Sequence, residues 1–147
     1  MTTIIYDHKN KQIACDSREV CGNMIASDDV KKFLTINDSI WFFAGSASDG
    51  RIFAESANHN TKSPENSDCT SIQIKQGLAY IVAVDNNDVY KIQELEMSEG
   101  IGSGGRFALS ALDFGKTAKE AVEYAMTRDV YTGGKVHVYD IATEKWL

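Results

Sequence analysis

Position 2 of the sequence is a threonine directly behind the initiator methionine. Methionine is removable ahead of a residue this small, and the threonine would then carry a hydroxyl and a free α-amine together. The hydroxyl is a weak nucleophile without a base beside it. The amine, with an ordinary pKa of about 7.7–8.0, is a base that is partly neutral near physiological pH. Such a pair can attack an amide carbonyl without a histidine. The three histidines, His8, His59 and His137, fall in segments that read as turn, loop and strand, and none stands in a triad pattern. Alone, a threonine at position 2 is ordinary. Lys31-Lys32 behind Asp28-Asp29 likewise reads as solvated surface charge.

Two other patterns suggest chemistry and fail on context. Gly100 to Gly105 satisfies GxGxxG, but a dinucleotide loop must follow a buried apolar strand and open a βαβ unit. Here it follows the acidic ELEMSE, which would repel a pyrophosphate. Asp85-Asn86-Asn87-Asp88 lacks the length and the glycine of a calcium loop and reads as a hairpin turn. Cys15, Cys21 and Cys69 form no CxxC motif, and an odd count without a secretory leader points to reduced thiols in the cytoplasm. No apolar run is long enough to span a bilayer. A net charge of −6 without a basic patch argues against a nucleic-acid partner.

The elements that must position these groups follow from periodicity. With 147 residues, 43% of them apolar, the chain is expected to form one soluble domain, 1–147, with a real core. Residues 2–6 and 12–16 read as two strands of a hairpin, and 32–36 as a third. Asn37-Asp38 turns the chain into the apolar strand 39–45. A short helix is predicted over 49–58, with Ile52, Phe53 and Ser56 inward, followed by a polar loop through residue 68. Strands follow at 70–75, 78–84 and 89–93, turned by Gln76-Gly77 and by residues 85–88. Residues 106–114 have helical spacing up to Gly115, and Thr117 with Glu120 forms a capping box for a second helix. A final strand covers 135–141. Strands, helix, strands, two helices and strand suit an α+β sandwich better than βαβ units.

Several blocks, in order, resemble proteasome β-subunits and the bacterial ring peptidase HslV. MTTIIYD resembles the family's opening, whose threonine is exposed by processing, and IACDSR the strand end with a catalytic aspartate, here Asp16. DDVKKF resembles the segment with the catalytic lysine, here Lys32, and FFAGSASD the turn whose glycine amide faces the oxyanion, here Gly45. GIGSGGRFALSALD is similar to the loop and helix that place the family's serine at Ser103. RDVYTGGKVHVYDI resembles the stretch with Asp129 and Thr132 at the matching positions. Together these blocks make up 55 of the 147 residues.

The resemblance implies an N-terminal nucleophile (Ntn) hydrolase fold, an αββα sandwich of two mainly antiparallel sheets. Between FFAGSASD and GIGSGG there is room for one helix and a loop where relatives carry two helices, so one helical layer should be reduced. It implies a threonine-type peptidase with Thr2 as nucleophile and its amine as base. Lys32, held charged by Asp16, would favour the Thr2 alkoxide, and Gly45 would stabilise the oxyanion. Ser103, Asp129 and Thr132 would orient the amine and relay its proton. No metal or cofactor is required. The implied partners are peptide or unfolded polypeptide substrates and further copies in a ring, with an ATPase unfoldase made less secure by the shortened helical region. A catalytically idle assembly module and a small-molecule amidase of the same fold are the alternatives.

Overall fold

The computed structural model describes residues 2–45, 47–58, 69–84 and 90–147. Among these residues twelve strands run in the order β1 (Ile4–Asp7), β2 (Gln12–Cys15), β3 (Glu19–Cys21), β4 (Met24–Ser27), β5 (Phe33–Ile36), β6 (Ser39–Gly45), β7 (Cys69–Lys75), β8 (Leu78–Val84), β9 (Tyr90–Glu94), β10 (Glu99–Ile101), β11 (His137–Asp140) and β12 (Lys145–Trp146). Helix α1 (Ala47–Asn58) lies between β6 and β7, and α2 (Gly105–Asp113) and α3 (Ala118–Met126) lie between β10 and β11.

The strands form two five-stranded sheets, β10-β1-β2-β11-β12 and β5-β6-β7-β8-β9, with β3 and β4 as a separate ribbon. All pairings are antiparallel. Alternation sorts the side chains into layers. Ile4, Tyr6, Ile13 and Cys15 meet Phe42, Ala44, Ile72 and Ile74 between the sheets. Ile5, Ala14 and Val138 face the other way, onto Ala108, Ala121, Val122 and Ala125 of α2 and α3. Trp41, Phe43 and Val82 on the outer face of the second sheet receive Phe53, Ala54 and Ala57 of α1. The result is an α+β sandwich with helices on both sides, as the sequence predicts. Among the described residues one outer layer consists of α1 alone, and the edge strand β9 keeps Ile92 exposed.

Local sequence accounts for the connections. Gln76 and Gly77 both have positive φ (50° and 76°), as a two-residue hairpin turn requires. The Thr117–Glu120 capping box opens α3, each partner bonding the other's backbone N–H. The predicted loop and turn at 59–68 and 85–88, with His59, lie outside the described residues.

Three expectations need correction. Ile52 is half exposed; Ala54 and Ala57 join Phe53 on the inner face of α1, because the sheet beneath is lined with large aromatics and leaves room for small residues. The sequence reading omits β3, β4, β10 and β12: β3, β10 and β12 have three residues or fewer, and β4, though four residues long, has no buried face to show a period of two. Strand bounds also shift: β1 begins at Ile4 rather than Thr2, β5 at Phe33 rather than Lys32, and β11 spans only His137–Asp140. The first two shifts leave Thr2 and Lys32 just outside the ladders, at strand starts.

Candidate active site

The predicted site residues all sit at chain segments that leave or enter the sheets. Asp16 directly follows β2, Lys32 directly precedes β5, and Gly45 ends β6. Ser103 lies in the turn between β10 and α2, while Asp129 and Thr132 lie in the turns after α3.

Asp16 is fully buried and organises one half of the site. Its Oδ1 accepts the Lys32 ammonium at 2.9 Å and the Thr3 backbone N–H at 3.0 Å. Its Oδ2 accepts backbone N–H groups of Gly133 at 3.0 Å and Arg18 at 3.3 Å. A buried carboxylate demands this degree of compensation, and here one cation and three backbone donors supply it. Burial, reinforced by the same charge, pushes the neighbouring Cys15 thiol well above its ordinary range, so Cys15 is a packing residue rather than a nucleophile. Lys32 is only 5% exposed. Its strand start is fixed by Phe43 N–H bonding the Lys32 carbonyl at 3.0 Å. Behind it, Phe33 stacks against Trp146 of β12 with ring centroids 4.3 Å apart.

The other half is a chain of short hydrogen bonds. The Ser103 and Thr132 hydroxyls each donate to Asp129 Oδ2 at 2.6 Å, and Thr132 Oγ1 lies 2.6 Å from Thr3 Oγ1. A hydroxyl has one proton. Since those of Ser103 and Thr132 go to the carboxylate, Thr3 must donate to Thr132, and Ser103 Oγ keeps its lone pairs for another donor. Thr3 joins the two halves, since its N–H reaches Asp16 and its side chain reaches Thr132.

Thr2 is thereby carried into a cavity of about 710 Å³ that Lys32, Gly45 and Ser103 also border. Asp16, Asp129 and Thr132 do not border it; they hold the groups that do. Gly45 borders it with φ 133°, a conformation a side chain would strain. All seven predicted residues thus belong to one connected arrangement. The sequence reading gave no site role to Thr3, Gly133 or the glycines around Ser103.

Those glycines explain the rejected GxGxxG pattern. Strand β10 feeds this loop but pairs antiparallel with β1 at the sheet edge, so no βαβ unit exists. A Cβ on Gly102 would strike the Thr2 carbonyl, and one on Gly104 would strike Thr3 Oγ1. The signal was available as a glycine-rich loop with no phosphate to bind. Gly104→Ala is sterically testable because its φ of −94° suits alanine. The variant is expected to lose roughly 1–3 kcal/mol by overpacking, read as a lower Tm. Among the described residues no group of three or more His, Cys, Asp or Glu side chains is placed to hold a metal.

A sequence model of the family described as "Proteasome subunit" matches residues 11–94, more than half of the chain and inclusive of Asp16, Lys32 and Gly45. The chain belongs to the proteasome subunit family. As a proteasome-family protein it is 25% identical to proteasome subunit beta type-5 of Gallus gallus, over 91% of this chain and 67% of that one. Its fold is similar to the crystal structure of eukaryotic HslV from Trypanosoma brucei, with a TM-score of 0.75, 20% identity, and coverage of 93% of this chain and 97% of that one. The fold is therefore that of the proteasome and HslV Ntn hydrolases. No helix of this proteasome-family chain is long and apolar enough to cross a membrane, counted over the described residues.

Proposed function

We propose that this protein is a threonine endopeptidase whose nucleophile is Thr2 after removal of Met1. The observation that carries this reading is the cavity shared by Thr2, Lys32, Gly45 and Ser103, with Asp16 bonded both to Lys32 and to the backbone next to Thr2. Thr2 Oγ1 attacks the peptide carbonyl while the Thr2 amine takes its proton. The Lys32 ammonium favours the alkoxide and disfavours protonation of that amine. The lone pairs left on Ser103 Oγ accept an N–H of the amine and aim it. The Gly45 N–H stabilises the tetrahedral oxyanion. The amine then returns its proton to the leaving nitrogen, and water enters by the same base to release the acyl group from Thr2. No step uses a cofactor or metal.

Peptides and unfolded polypeptides are the substrates in this reading. The chain works as a homo-oligomer in the cytoplasm, because enclosure restrains an otherwise indiscriminate peptidase. Docking of an ATPase unfoldase is a weaker element, given a single helix on the α1 side among the described residues. Met1 lies outside the described residues, so its removal is a matter for intact mass. Mass spectrometry is expected to show loss of one methionine under denaturing conditions and an assembly larger than a dimer under native ones. Uniform retention of Met1 would leave Thr2 without a basic amine and turn the reading to a catalytically idle member of the family.

A further inference from the structure

The charges around the cavity are unequally matched. Lys32 is paired with Asp16 at 2.9 Å, and Arg18 is held by both oxygens of Asp28 at 2.8 and 3.0 Å. That exchange raises the pKa of Arg18 through its hydrogen bond to Asp28 and lowers that of Asp28 through the same bond, so both stay charged and mutually satisfied. Glu19 also borders the cavity, is exposed, and takes part in no ion pair among the described residues. Its neighbour Val20 borders the same cavity. Consecutive strand residues ordinarily face opposite ways, but the β3–β4 ladder is irregular between these two: Glu19 pairs with Ser27 and Val20 with Ile25. The extra residue, Ala26, lies on β4, a bulge that increases the local twist of the ribbon, and both Glu19 and Val20 border the cavity. Val30 completes this wall.

One acidic residue and two valines bordering the same cavity match one kind of side chain. Lysine and arginine carry a charged head on an apolar stem, and the stem gains by lying on valine while the head reaches the acid. A cavity of about 710 Å³ has room for such a side chain together with the backbone carrying it. We infer that Glu19 selects substrates with lysine or arginine beside the cleaved bond and discriminates against acidic ones. This inference rests on the peptidase reading for the word "cleaved", but the charge preference itself is a property of binding.

The test separates the two. Fluorogenic peptides differing only in Lys, Leu or Glu before the scissile bond are compared for kcat/KM with wild type, Glu19→Gln and Glu19→Lys at low and high salt. The same peptides, fluorescently labelled, are titrated by anisotropy against Thr2→Ala and Thr2→Ala/Glu19→Gln. A single exposed ion pair gives a Lys-over-Leu preference of up to about fivefold in wild type. Glu19→Gln should bring that ratio near one, and Glu19→Lys should favour the Glu peptide. At 1 M salt, where screening acts within about 3 Å, the preference should shrink. Cleavage that ignores residue 19 overturns this inference and leaves the peptidase reading standing. Absence of cleavage with Lys-selective binding lost in the double variant does the reverse. Absence of both cleavage and selective binding overturns both.

Discussion

Replacing Thr2 by alanine is expected to lower kcat/KM for peptides on the order of a thousandfold or more while the protein folds as before. The side chain supplies the attacking oxygen. By contrast, the bond that anchors this residue to the scaffold is a backbone one, from the Gly104 N–H to the Thr2 carbonyl, and alanine keeps it. Thr2→Ser should retain partial activity, because serine has both hydroxyl and amine and loses only the methyl that restricts χ1. An electrophilic peptide inhibitor should add its mass to wild type and not to Thr2→Ala. The comparison needs protein whose Met1 removal has been verified for each variant. Full activity in Thr2→Ala would end the reading; so would inert wild type across a broad peptide panel.

The second large effect lies at Lys32. Lys32→Ala leaves Asp16 buried without its cation, and breaking a buried pair in this way costs about 3–5 kcal/mol. Three backbone N–H groups still bond Asp16, from Thr3, Gly133 and Arg18, which favours the lower end. A loss of about 3 kcal/mol corresponds to a fall in Tm of roughly 6–12 °C for a chain of this size. Well below that Tm, with the protein verifiably folded, peptide hydrolysis should still be reduced on the order of a hundredfold or more, since the ammonium favours the alkoxide. Lys32→Arg should restore much of the stability and little of the rate. A guanidinium still pairs with Asp16, but its planar fork does not put a compact charge at the Thr2 oxygen. Hydrolysis at the wild-type rate in folded Lys32→Ala would show that the pair serves the fold alone.

Sequence by itself determined the features governed by local rules. The β1–β2 hairpin was legible because Ile4, Ile5, Tyr6, Ile13 and Ala14 are apolar around a polar turn. Gln76-Gly77 and the Thr117–Glu120 box state their turn and cap within a few residues. The ordered blocks around Thr2, Asp16, Lys32, Gly45, Ser103, Asp129 and Thr132 carried the family resemblance, and hence the candidate site. Other features have no local signature. Glu99–Ile101 is a strand because the edge of β1 needs hydrogen-bond partners, not because its own residues favour one. The β3–β4 ribbon has mostly exposed side chains and so shows no buried face to give it away. Only the tertiary structure decided that Thr3 closes a hydroxyl chain with Thr132, 129 positions away, and that the Gly133 amide reaches Asp16. It also decided that Gly102 and Gly104 must lack side chains, because the Thr2-Thr3 backbone packs directly against them. Periodicity reports which face of an element is buried. It does not report which distant polar atoms meet once two sheets and their connecting turns have closed on one another, and that meeting is what makes the site.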